Sequence, residues 1–154
     1  TTPYPLVADC RFALVLAEIG PVLRRNGVRV VEFSNSHAYR NTHFGKLSLH
    51  ANGLALDLHR IQVEEGDALS VQEDFRRRLG ARGCREDAPA LNRLACELRA
   101  TGLFSELLTP DYNADHRDHF HLGIARKNAP FDAHERGGLA GSPGFGSNGW
   151  RKPS

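Results

Sequence analysis

Leu54-Ala55-Leu56-Asp57-Leu58-His59-Arg60-Ile61-Gln62-Val63 is the stretch from which the architecture can be read. Leucine stands at every second position from 54 to 58, with Ala55, Asp57 and His59 between. A period of two belongs to a β-strand, here with one apolar face and one face carrying a carboxylate and an imidazole. Glu65-Gly66-Asp67 follows as a turn signal, and Leu69 to Val71 reads as a returning hairpin partner. Val28 to Phe33, rich in β-branched residues, reads as an earlier strand, and Ser105–Thr109 and His119–Ala125 as later ones.

Two helical patterns flank these strands. Over residues 9–26, Phe12, Val15, Leu16, Ile19, Val22 and Leu23 fall at helical spacing, with Asp9 as N-cap and Asn26-Gly27 as the stop. Pro21 should bend the last turns or end the regular helix early. Over 87–101, Leu91, Leu94, Ala95 and Leu98 form a buried stripe, with Asp87 near the cap and Gly102 at the stop. A short helix is expected around 72–79. Period-two runs set between helical ones predict an α+β fold, a small and mainly antiparallel sheet with packed helices. The strands near 28–33, 54–63, 69–71 and 119–125 would form it.

The chain has 154 residues, enough for one domain with a real core. From Lys127 the composition turns to Gly, Pro, Ser and Asn without periodicity. The expected division is a folded domain over 1–126 and an extended tail over 127–154. The formal charge is only +2, with acids and bases interspersed, and no basic block marks a nucleic-acid partner. No apolar run reaches the roughly 20 residues of a membrane span. The opening Thr1-Thr2-Pro3-Tyr4-Pro5 and the absence of Met read as a processed or excised domain. Cys10, Cys84 and Cys96 form no CxxC pair; one disulfide is expected, with all three pairings open.

Two segments carry chemistry. In Asp115-His116-Arg117-Asp118-His119-Phe120-His121-Leu122, a strand would place His119 and His121 on one face and Phe120 and Leu122 on the other. Two imidazoles would then project together from a supported element, as metal ligands do. An HxH pair alone is a weak signal, more often the mark of surface or hydrogen-bonded histidines than of a metal. The second segment, Ser48-Leu49-His50-Ala51-Asn52-Gly53-Leu54-Ala55-Leu56-Asp57, adds an imidazole and a carboxylate seven residues apart, with Gly53 allowing a tight path into the strand. Two imidazoles and one carboxylate leave a fourth zinc position open, which is the catalytic kind of site. His59 shares the face of Asp57 and reads as a supporting or solvent-facing residue.

Ser48-x-His50-x-x-Gly53-x-Ala55-x-Asp57 resembles the SxHxxGxAxD signature of the LAS zinc peptidases in every fixed position. That group includes D-alanyl-D-alanine dipeptidases and carboxypeptidases and the penicillin-insensitive murein endopeptidase. Pro110 to Leu122 resembles, almost residue for residue, the hallmark of the bacterial extensin-like C-terminal domain family. The likeness runs over roughly residues 5–125. It implies an LAS-like fold, zinc on His50, Asp57 and His121, and catalytic roles among His119, Asp118 and His116. His119 and His116 have counterparts in the murein endopeptidase branch. Asp118 stands where the dipeptidase branch has a glutamate base. Arg40 resembles the arginine that precedes the SxH motif and steadies developing negative charge. Ser48 would brace the His50 loop or bind substrate, since no GxSxG elbow surrounds it.

The resemblance implies a zinc-dependent peptidase acting on peptidoglycan stem peptides or cross-links, in the periplasm or outside the cell. Two other readings share these residues: a cell-wall peptide-binding module of the same fold that does not cut, and a zinc hydrolase of another amide. For the base, His119 is favoured over Asp118, with His116 third, because a strand puts His119 and His121 on one face and Asp118 on the other.

Overall fold

The computed structural model describes residues 5–38, 41 and 47–125. Asp9 caps helix α1 (Cys10–Glu18) with its side chain accepting the Arg11 N–H. The expected single helix over 9–26 is broken at Ile19, and a shorter α2 (Gly20–Arg25) resumes with Pro21 in its first turn, where the missing N–H costs nothing. Strand β1 (Val28–Ser34) runs antiparallel to β2 (Ala55–Val63). Strand β3 (Leu69–Ser70) leads into α3 (Val71–Asp74), a single turn in place of the helix expected around 72–79. Arg78 and Gly80 both adopt left-handed φ, which no helix continues through. Helix α4 spans Ala90–Ala100. Asp87 does not cap it: Pro89 occupies that position, and the Asp87 carboxylate accepts from Arg85 Nε at 3.0 Å. Strands β4 (Glu106–Leu108) and β5 (Phe120–Gly123) complete the sheet.

Four of the five strands are ordered β1-β2-β5-β4, the fifth, β3, pairs with β2 off this path, and every pairing is antiparallel. β2 carries β1 along one edge. On its other edge β5 pairs with Ala55–Leu58 and β3 with Arg60 and Ile61. The register sets Leu56 opposite Leu122 and Leu58 opposite Phe120. These residues join Phe12, Val15, Ile19 and Val22 of the first two helices and Leu91, Leu94 and Leu98 of α4 in one apolar core. Each such side chain contributes about 1.5–3 kcal/mol by leaving water. The fold is therefore α+β, with a small antiparallel sheet, as the alternating and helical periods predict.

Cys84 and Cys96 form a disulfide that ties the 3₁₀ turn Gly80–Cys84 to α4, while Cys10 is free and exposed. Among the described residues no helix is long and apolar enough to cross a membrane. The Gly/Pro-rich segment expected as a tail over 127–154 lies outside the described residues, as does Arg40.

Candidate metal centre

The same register that buries leucines turns a second set of side chains the other way. Asp57 lies directly across from His121 on β5 and, on its other side, across from Ser34. Their shared face is covered by the turn that carries the third residue. His50 opens a 3₁₀ turn (His50–Asn52), and Gly53 closes it at φ 64°. A Cβ at Gly53 would come within 2.8 Å of the Asp9 backbone nitrogen, and the Gly53 carbonyl accepts from that same nitrogen. Position 53 therefore demands glycine twice over, for its conformation and for its neighbour. Ser48 is buried and its Oγ accepts from His50 N at 3.3 Å, so it braces this turn.

His50, Asp57 and His121 are all buried, and they converge. His50 Nε2 lies 3.1 Å from His121 Nδ1, His121 Nδ1 lies 3.1 Å from Asp57 Oδ1, and His50 Nε2 lies 3.3 Å from Asp57 Oδ1. Each side chain is held from behind. His50 Nδ1 donates to the Asn35 carbonyl, which leaves Nε2 as a bare lone pair. Asp57 Oδ2 accepts from Asn35 Nδ2 at 2.9 Å, which leaves Oδ1 facing the imidazoles. His121 Nε2 meets Glu106 Oε2 at 3.3 Å. With the proton on Nε2, Nδ1 is the free end. Three donor atoms then converge on one point, where imidazole protons bond to Asp57 Oδ1 and a cation can take their place. Zinc with bonds of about 2.0–2.1 Å has tetrahedral ligand-to-ligand edges of about 3.3 Å, which the three distances match. The donor set fits zinc.

The charges respond accordingly. Burial acts to raise the Asp57 pKa, but hydrogen bonds from His121, His50 and Asn35 outweigh it and hold the carboxyl well below its ordinary range. Burial also opposes the charged form of His121. The flanking Asp57 and Glu106 carboxylates overcome it, so the net shift is upward.

A second group of three, His59, Asp118 and His119, stands beside the first and is only half-buried. β5 begins at Phe120, so His119 immediately precedes it. Asp118 does not point away, as strict alternation required: its Oδ1 lies 2.9 Å from His119 Nδ1 and accepts that proton. His119 Nε2, left bare, is 3.5 Å from Asp57 Oδ1. The His119 hydrogen bond holds the Asp118 carboxyl below its usual range. His59 supports this pair: its Nδ1 donates to the Asp118 carbonyl at 3.2 Å and its Nε2 accepts from Ser34 Oγ at 2.8 Å. Both ring nitrogens of His59 are thus engaged without a metal.

His116 completes the wall. Its Nδ1 donates to Asn113 Oδ1 at 2.6 Å, and its ring lies 5.0 Å from that of His119 and 6.0 Å from that of His121. Burial, with the neighbouring His119 and His121, lowers its pKa to about 4, so it is neutral at pH 7. Tyr112 packs edge-on against His116 and is 57% exposed, whereas His50 is fully buried. Exposure thus rises from His50 outward, and the Tyr112–His116–His119 side is the approach to the centre.

Asn35, Glu106 and Asn113 are the supporting residues that reading the sequence missed. Asn35 sits at φ 53°, a left-handed conformation that asparagine tolerates, directly after β1. Its position between two serines at a strand end is the signal that could have found it.

No curated protein and no solved structure matches the chain. A family model does match, that of the extensin-like protein C-terminus, over residues 15–132. The matched span takes in most of the chain, with His50, Asp57 and His121 and the His59, His116, Asp118 and His119 side chains beside them, and the chain belongs to the extensin-like protein C-terminus family.

Proposed function

We propose that this chain is a zinc-dependent peptidase that hydrolyses amide bonds in bacterial peptidoglycan stem peptides or their cross-links, in the manner of the LAS peptidases that its motifs resemble. The observation that carries the reading is the pairing of two features. Three donor atoms of two imidazoles and a carboxylate lie within 3.3 Å of one another, and a histidine whose outer nitrogen is fixed by a carboxylate presents its inner nitrogen 3.5 Å from that group. Zinc bound there would supply a Lewis acid for the scissile carbonyl and would lower the pKa of a bound water to about 7.

The chain's own residues supply the rest. His119 Nε2 is free to take a proton in the space beside the ligands, and Asp118 stabilises the imidazolium that results. The same nitrogen can return that proton to the leaving amine. Neutral His116, its Nδ1 tied to Asn113, offers Nε2 to the substrate from the open side. Tyr112 gives an exposed aromatic surface at the rim. Arg40 is assigned to the developing oxyanion on the motif resemblance. The Cys84–Cys96 disulfide suits an oxidising compartment, in keeping with a periplasmic or secreted protein.

The test is digestion of purified peptidoglycan by the zinc-loaded protein, with the products identified by mass spectrometry. Release of stem-peptide fragments cut at an amide, absent with His119→Ala, is the expected result. Retention of the protein on peptidoglycan with no new products would replace the peptidase by a binding module. Inactivity toward the wall with turnover of another amide would replace the substrate.

A further inference from the structure

Glu106 begins β4 and pairs with Gly123 of β5, two places along from the Leu108–His121 pair. Residues two apart on a strand share a face, so Glu106 lies on the His121 face, diagonally across from it. Gly123 has no side chain to stand between them. A Cβ there would come within 2.9 Å of Leu49 Cδ1 and 3.1 Å of His121 Nε2. With that place left open, Glu106 Oε2 comes to 3.3 Å from His121 Nε2, on the side of the ring opposite to the nitrogen that joins the triangle.

Resting on the zinc reading above, we propose that Glu106 is a positioning residue of the metal centre. Its carboxylate accepts the Nε2–H of His121, holds the ring so that Nδ1 is bare and aimed at His50 and Asp57, and lends the ligand negative charge. The two imidazoles of the centre are held unequally. His50 leans on a neutral backbone carbonyl, that of Asn35, and His121 on a charged side chain. His121 is therefore the more basic donor. Gly123 belongs to the same device, because any larger residue would crowd Leu49 and the His121 nitrogen that Glu106 holds. The Glu106 side chain is 50% exposed, so water screens it, and its effect belongs at the low end of the roughly 10–100-fold that such outer partners contribute to metal affinity.

The experiment compares zinc affinity, by competition with a chromophoric chelator, for the wild type, Glu106→Ala, Glu106→Gln and a control, Glu65→Ala in the turn after β2. The melting temperature of each metal-free protein is measured alongside, with the visible bands of the cobalt-substituted forms as a second readout. Glu106→Ala should bind zinc about tenfold more weakly with altered cobalt bands. Glu106→Gln, which keeps an acceptor oxygen, should lose less. At a pH above the raised His121 value, where that ring is neutral, both should melt close to the wild type when metal-free, and Glu65→Ala should match the wild type throughout. Wild-type affinity in Glu106→Ala overturns the inference and leaves the zinc site standing. A loss of affinity matched by a lower metal-free melting temperature overturns it too, since that is damage to the sheet. A wild type that takes up no zinc overturns the metal reading itself, and this inference with it, before any variant is compared.

Discussion

His50, Asp57 and His121 at one place, and His59, Asp118 and His119 beside it, are each two histidines and an aspartate. In the first trio every outward-facing polar atom is held by a neighbour, and the three atoms that remain face one another. In the second, His59 has both nitrogens engaged and Asp118 Oδ1 takes the His119 proton, so the ring nitrogen left over is His119 Nε2. Composition does not separate a ligand set from its scaffolding. What separates them is which lone pairs remain after the hydrogen bonds are counted, and whether those remaining share a point.

The largest effect that would break this contrast is loss of metal. His121→Ala should abolish stable zinc binding, whereas His59→Gln should keep about one equivalent per chain, both read by metal analysis after dialysis. Equal zinc content in the two variants would erase the distinction between the trios. Next comes the boundary between them. At full zinc occupancy, His119→Ala should cost about a hundredfold or more in cleavage rate, in line with loss of a general base, and Asp118→Asn should cost less. Near-normal turnover in His119→Ala beside a dead Asp118→Asn would hand the base role to the carboxylate.

The smallest effect sharpens the contrast through pH. The carboxylates around His121 raise its pKa above the ordinary 6.5. A raised histidine stabilises the metal-free protein at acid pH, and that contribution fades as pH rises through the raised value. Zinc needs the same nitrogen unprotonated. Its stabilisation of the protein should therefore grow with pH across that interval, by about 1.4 kcal/mol per unit for each proton displaced. The gap between zinc-loaded and metal-free melting temperatures measures it. His59→Gln should show the same slope as the wild type, and a flat gap in the wild type would contradict the assignment of His121.

Much of this was legible in the residues. The Leu54, Leu56 and Leu58 alternation identified β2 and its two faces, and alternation set His119 beside His121, while the motif resemblance was what joined His121 to Asp57. The break at Ile19 follows from Pro21, as its chemistry requires. Other features act through geometry that no local pattern carries. Asn35 works by a left-handed backbone that turns both its carbonyl and its amide toward the centre. Glu106 works along a cross-strand diagonal, visible only once β4 and β5 are in register. The Cys84–Cys96 pairing depends on a 3₁₀ turn packing on α4, and three cysteines alone leave every pairing open. Asp118 reached His119 because the strand starts one residue later than expected.

His50 and Asp57 stand seven places apart, but His121 joins them from 64 and 71 residues away, by way of the pairing of β2 with β5. No short stretch of this chain can assemble the trio on its own. A growing or refolding polypeptide must first close that long loop, which is slow for pairings so distant in sequence. Metal capture should therefore come late in folding rather than nucleate it. Zinc uptake followed in time, with a fluorescent indicator of the free ion, becomes a clock for the completion of the sheet.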